Sequence, residues 1–132
     1  MKKLILTTLT ALTLATTAFA APVAEPVTAM GGDGIYTMLY TESAWMSLIV
    51  PMADLNYVLP SDLSLAVSGL PSGTTITLDS VTQQGDLALF HVTVSRADES
   101  VGVNDTAVID VQSGGQTLTT VSIPVMGVAY DQ

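Results

Sequence analysis

From Asp62 onward the chain repeats one pattern: apolar and polar residues alternate over a short run, and a cluster of turn-forming residues then interrupts them. "DLSLAVS" places Leu63, Leu65 and Val67 on one face. "TTITLDSV" places Ile76 and Leu78 inward, with Thr75 and Thr77 outward. "LALFHVTVS" sends Phe90, Val92 and Val94 inward and His91, Thr93 and Ser95 outward. "TAVIDVQ" does the same with Ala107, Ile109 and Val111 against Asp110 and Gln112, and "TLTTVSIPVM" with Val121, Ile123 and Val125. Side chains alternate across a strand, so a period of two gives each run one oily and one wet face. A helix would need a period near 3.6 residues. The β-branched threonines on the wet face suit a pleated, half-solvated surface.

The interruptions agree with this reading. "GLPSG", "TQQGD", "RADESVGVN" and "SGGQ" are rich in Gly, Pro, Asn, Asp and Ser, the residues that turns select. Short strands punctuated in this way predict an all-β fold, an antiparallel sandwich or barrel, and no βαβ rhythm appears. Pro124 interrupts the last run and is expected at a sheet edge or a bulge, because proline has no N–H to give a ladder.

The stretch from Leu63 to Val125, carried by "LSLAVSGLPSGTTITL", "FHVTVS" and "AVIDVQSGGQTLTTVSIPV", resembles bacterial immunoglobulin-like modules, including those near fibronectin type III and sugar-enzyme accessory domains. It covers about half the chain. The resemblance implies an immunoglobulin-like β-sandwich of about seven or eight strands, and a protein that binds, spaces or assembles. The cysteine pair of antibody domains is missing, and Trp45 precedes the clean strands, so the Cys–Trp–Cys signature is absent.

The first half is less regular. "MKKLILTTLTALTLATTAFA" has Lys2 and Lys3, an apolar middle, and small residues at Ala18 and Ala20. That is the layout of a secretory signal peptide over residues 1–20, with cleavage expected after Ala20. "APVAEPVTAMGGDG", residues 21–34, reads as a flexible Pro/Gly-rich leader. Residues 35–132 then form a single domain. Within it, "IYTMLY" reads as a strand and "LNYVLP" as a short extended segment. "TESAWMSLIVP" fits a short helix begun at Thr41 or a strand ending at Pro51, and the strand is preferred.

Loss of the signal removes both lysines. It leaves Arg96 against twelve acidic residues, one positive and twelve negative charges, a net of −11 with His91 neutral. Such a surface repels nucleic acid and anionic lipid. No later stretch is long and apolar enough to span a bilayer. The expectation is an exported protein, periplasmic or extracellular, whose acidity serves solubility. With no cysteine, thiol catalysis, disulfides and thiolate metal sites are excluded.

Little in the sequence points to catalysis. His91 is the only histidine, and its alternation sends it away from the core with no serine–carboxylate pair beside it in sequence. Met30, Met38, Met46, Met52 and Met126 form no tight M-x-M cluster and read as core filler rather than a copper site. Asp33, Asp54, Asp62, Asp79 and Asp86 sit at turns, which explains them without catalysis. One constellation offers hard oxygen ligands: Asp98, Glu99 and Asp105 in "RADESVGVND", with Asn104, are weak calcium candidates whose spacing matches no EF-hand loop. No other cofactor is expected. The function expected is therefore a non-catalytic binding or interaction module whose partner is another protein or a carbohydrate. The rival is a structural or assembly protein of the cell envelope, chaperone-like or filament-forming.

Overall fold

A computed structural model describes residues 24–130. Residues 1–20, expected to be a signal peptide, lie outside the described residues. Two sheets pack face to face. The first runs β1 (Glu25–Pro26), β10 (Gln116–Gly127), β9 (Val103–Ser113) and β6 (Leu63–Ser68), and β4 (Leu39–Tyr40) also pairs with β10. The second runs β3 (Gly34–Tyr36), β2 (Ala29–Gly31), β5 (Ser43–Pro51), β8 (Leu87–Arg96) and β7 (Thr74–Gln84). All pairings are antiparallel except the two short contacts of β1 and β4 with β10. The architecture is an all-β sandwich, as the alternation predicts. No helix of the described residues is long and apolar enough to cross a membrane.

The register explains the core. β5 and β8 set Met46 against Val92, Leu48 against Phe90 and Val50 against Ala88. β9 and β10 set Ala107 against Ile123 and Ile109 against Val121. All ten of these side chains are fully buried. Each expected inward residue of β8, β9 and β10 does face the core, and those of β6 lie half-buried along one side. Alternation and burial agree because a slip of one residue would turn each strand's apolar set to water.

Pro124 also has its reason. The carbonyls of Ser122 and Met126 accept bonds from Val27 (2.9 Å) and Thr41 (3.0 Å), so this side of β10 is served by β1 and then by β4. Backbone groups alternate in direction, so Pro124 points the same way, into the gap between those two short strands. There no N–H is required.

The number of strands exceeds the expectation because the first third is more ordered than it reads. Residues 21–34 are not a leader throughout: β1, β2 and the start of β3 lie within them. Ala29 is fully buried opposite Leu48. Strands of two or three residues have no room for a periodic signature, and here tertiary contacts set them. "IYTMLY" divides into β3 in one sheet and β4 in the other. "SAWMSLIVP" is one strand. The first half of the expected extended segment 55–60 is not extended: a 3-10 turn (Met52–Leu55) runs into Asn56 and Tyr57, both left-handed with φ of 58° and 61°.

Phe90 anchors this core and is fully buried, while His91 beside it faces out. Truncating a buried aromatic costs about 3–5 kcal/mol. Phe90→Ala should therefore melt well below His91→Ala in calorimetry, and equal melting temperatures would contradict the register.

Candidate functional site

The chain crosses from β4 to β5 through a tight turn at one end of the sandwich. Glu42 takes φ of 58°, a left-handed conformation that few non-glycine residues adopt. Ser43 Oγ donates to the Tyr40 carbonyl at 2.6 Å, which satisfies the buried hydroxyl. The Glu42 amide reaches the Val94 carbonyl at 2.8 Å.

Immediately beyond, β5 carries a bulge. Ser43 pairs with Val94 and Met46 with Val92, so β5 holds one residue more than β8 between these points. A bulge re-aims side chains and frees a ladder group. The His91 Nε2–H is positioned to donate to the Ala44 carbonyl at 2.7 Å. The re-aimed side chain is Trp45. Its indole lies against Gly31, where a β-carbon would overlap the ring.

Trp45 is not alone. Tyr36 meets it edge to face, 5.5 Å between ring centres and 72° between planes. Tyr40 meets Tyr36 in the same manner at 6.0 Å and 84°. Such pairs contribute about 0.5–1.5 kcal/mol beyond burial. Tyr36 is half-buried, but Trp45 remains 47% exposed and Tyr40 37%. The Tyr36 hydroxyl donates to Asp33 Oδ1 at 3.4 Å, and burial, then the Asp33 charge, raises its pKa above the ordinary phenol value. The result is an uncharged aromatic cluster at the end of the sandwich.

The same turn is tied down by the one cation of the described residues. Arg96 closes β8 with its side chain buried. Nε and Nη2 grip Glu42 Oε2 and Oε1 at 2.9 and 2.7 Å. Nη1 donates to the carbonyls of Val101 (2.7 Å) and Val128 (2.9 Å). The guanidinium carbon lies 5.7 Å from the centre of the Tyr130 ring. One side chain thus joins the β4–β5 turn, the β8–β9 loop and the C-terminal segment. A planar fork of donors suits this task, which a lysine ammonium cannot copy. The Arg96 hydrogen bond holds the Glu42 carboxyl below its ordinary value, against the opposing effect of burial.

The calcium candidates do not converge. Asp98 Oδ1 accepts from the Ser100 amide (3.0 Å) and hydroxyl (2.6 Å), a closed local turn that lowers its pKa. Glu99 gives its carbonyl to the Tyr130 amide. Asp105 sits exposed on β9 opposite Val125. Among the described residues no three acidic or histidine side chains are grouped to hold a metal. The shared loop puts these carboxylates near one another in sequence, but β9 has already begun at Val103 and carries Asp105 away.

His91 faces outward as expected. Its cross-strand partners are Ser47 on β5 and Ser80 on β7, a juxtaposition the linear sequence hides. Of the methionines, Met46 and Met52 lie in the core, while Met30, Met38 and Met126 are half-buried. A further acidic pair went unforeseen: the carboxyl of Asp54 in the 3-10 turn neighbours Glu25 of β1 and raises the Glu25 pKa.

No protein-family model, curated protein or solved structure matches the chain.

Acid should destabilise the sandwich. A carboxyl whose folded pKa is depressed contributes stability at pH above its unfolded value, and loses it as pH falls through the folded value. Glu42, Asp62 and Asp98 are all lowered, from ordinary values of 4.5, 3.8 and 3.8; Glu25 is raised and opposes them. Urea midpoints should therefore fall between pH 6 and pH 3. Glu42→Gln should lower the midpoint at pH 6 and narrow the difference. Arg96→Lys should be nearly as damaging as Arg96→Met, and full stability in Arg96→Lys would remove the guanidinium's role.

Proposed function

We propose that this chain is an exported, non-catalytic binding module that engages its partner through the Trp45–Tyr36–Tyr40 cluster. The observation that carries the proposal is the exposure of two aromatic rings on a support built for them. The bulge turns Trp45 out, Gly31 leaves room beneath it, and Arg96 pins the turn that brings Tyr40 alongside. Exposed large aromatics are an expensive surface for a soluble domain unless something covers them. Tyr and Trp offer broad apolar contact with little loss of rotamer freedom, and they dominate binding hot spots.

Charge narrows the partner. The chain carries a formal charge of −9, and Arg96, the cation of the described residues, is already spent. Nucleic acids and acidic glycans are repelled. A neutral saccharide, whose ring has an apolar C–H face, suits the cluster, as does a protein surface of neutral or positive charge. The resemblance to immunoglobulin-like modules and the signal-like residues 1–20 support an exported accessory role. The rival reading, an assembly protein of the envelope, has one feature in its favour: free strand edges on the opposite side of the sandwich.

Trp45 is the only tryptophan, so its emission reports this site alone. Titration with neutral soluble oligosaccharides of the cello-, chito- and malto- series should shift that emission for one series. Affinity electrophoresis in the matching polysaccharide should show retardation that Trp45→Ala weakens by roughly thirtyfold, the scale of a hot-spot residue. Tyr57→Ala, exposed beyond the 3-10 turn, should behave as wild type. Unchanged emission across all the sugars, with equal mobility of all variants, would reject the saccharide as partner.

A further inference from the structure

The two long sides of the sandwich are finished differently. On one, the chain from Glu25 to Ser43 passes back and forth between the sheets, so β1 and β4 flank β10 while β2 and β3 flank β5. On the other, β6 ends one sheet and β7 ends the other, with nothing outside either among the described residues. Here the core is incompletely covered. The inward residues Leu63, Leu65 and Val67 of β6 and Leu78 and Val81 of β7 are only half-buried. Their counterparts Phe90, Val92, Ile109 and Val111 are fully buried. A groove of about 310 Å³ runs between the edges, lined by Leu63, Leu78 and Val81 with Asp79 and Ser80.

The β7 edge carries unpaired backbone groups. The Gly73 carbonyl accepts from the Ala97 amide at 2.9 Å, so by alternation Thr75 and Thr77 turn their backbone groups to β8. Ile76 and Leu78 then direct theirs to the open side. A free edge with an apolar stripe beneath it is the arrangement that accepts an added strand.

We infer that β7 receives an extended segment of another protein, one that alternates apolar and polar residues and carries a Lys or Arg opposite Asp79. Two features decide against a second copy of this chain. Asp79, expected at a turn, is instead the bulged midpoint of β7 (Thr74–Gln84), so antiparallel pairing of β7 with itself about its centre sets Asp79 against Asp79, and like charges directly opposite are destabilising. The chain also has no spare cation among the described residues to offer, because Arg96 is buried in its own ion pair. Asp79 stands on the exposed face at a bulge between Leu78 and Ser80, held by the Thr93 hydroxyl at 2.6 Å. A carboxylate in that position deters a copy and selects a basic partner, which is specificity by repulsion as well as attraction. The inference uses a different side of the molecule from the aromatic cluster and does not depend on it.

The test uses an acetylated, amidated peptide of alternating Val and Thr with a central Lys, and a second peptide with Glu at that place, added to the intact chain and followed by NMR. The Lys peptide should slow hydrogen exchange at the amides of Ile76 and Leu78, and leave Thr75 and Thr77, already paired with β8, unchanged. The Glu peptide should bind roughly fivefold more weakly or worse, from the magnitude of cross-strand charge pairs. Asp79→Lys, an exposed change that spares the core, should reverse the preference. Trp45→Ala should leave peptide binding intact, which separates this inference from the aromatic-cluster reading. Equal affinity for the two peptides, protection elsewhere than β7, or sedimentation showing dimers that Asp79→Lys disrupts would each overturn it.

Discussion

A single buried guanidinium organises the end of the sandwich on which the aromatic cluster stands. Arg96 lies at the end of β8, on the same face as Phe90, Val92 and Val94, where an apolar residue would be the simpler choice. Burying a charge is costly unless it is paired and its donors are met. Four hydrogen bonds and the Tyr130 ring meet them here. The bonds reach three separate segments, so losing the guanidinium leaves Glu42 without its partner and two carbonyls without a donor. Removing one partner of such a group costs more than the pair contributes net. The consequence is local order: a left-handed Glu42 is tolerated because its carboxylate is held, and the turn it makes sets Tyr40 and Trp45 at the same end.

Much of this fold was legible in the sequence because one constraint writes itself twice. From Leu63 to Val125 each residue's parity decides its face, and burial follows parity through Phe90, Ile109 and Val121. The same parity extends to Arg96, two residues beyond Val94, and marks it as inward, although it stands at the mouth of a loop. The first third carries no such signal. β1 and β4 are two residues long, and what makes them strands is the unfilled side of β10, a partner distant in sequence. Propensity cannot report a contact of that kind.

The aromatic cluster was hidden for a related reason. A bulge breaks parity, so no alternation rule places Trp45. Its support also comes from far along the chain: Gly31 supplies space, and His91 is placed to bond the carbonyl the bulge frees. The one signal in the sequence was compositional. Trp45, Tyr36 and Tyr40 fall within ten positions of one another in a chain that is 5% aromatic. Loop chemistry misled in the other direction. The acidic residues around Asp98 are near in sequence, yet Asp98 spends its lone pairs on Ser100 and Asp105 belongs to a strand.

The acidity and the open side are best understood together. An edge strand of eleven residues rich in Thr, with no Lys and no Pro, is a hazard for any protein that meets many copies of itself. Lysines are a common protection for such edges, and this chain uses the opposite sign. A bulged Asp79 at the centre of β7 twists the edge and charges it, and the acidic surplus of the whole surface keeps copies apart. Protection by negative charge differs from protection by proline or by a covering loop in one respect. It excludes copies of the chain while leaving the edge geometrically open. The half-buried stripe from Leu63 to Val81 therefore stays accessible to a strand of opposite charge, and a sandwich closed on one side by its own N-terminal crossings keeps its other side selectively available.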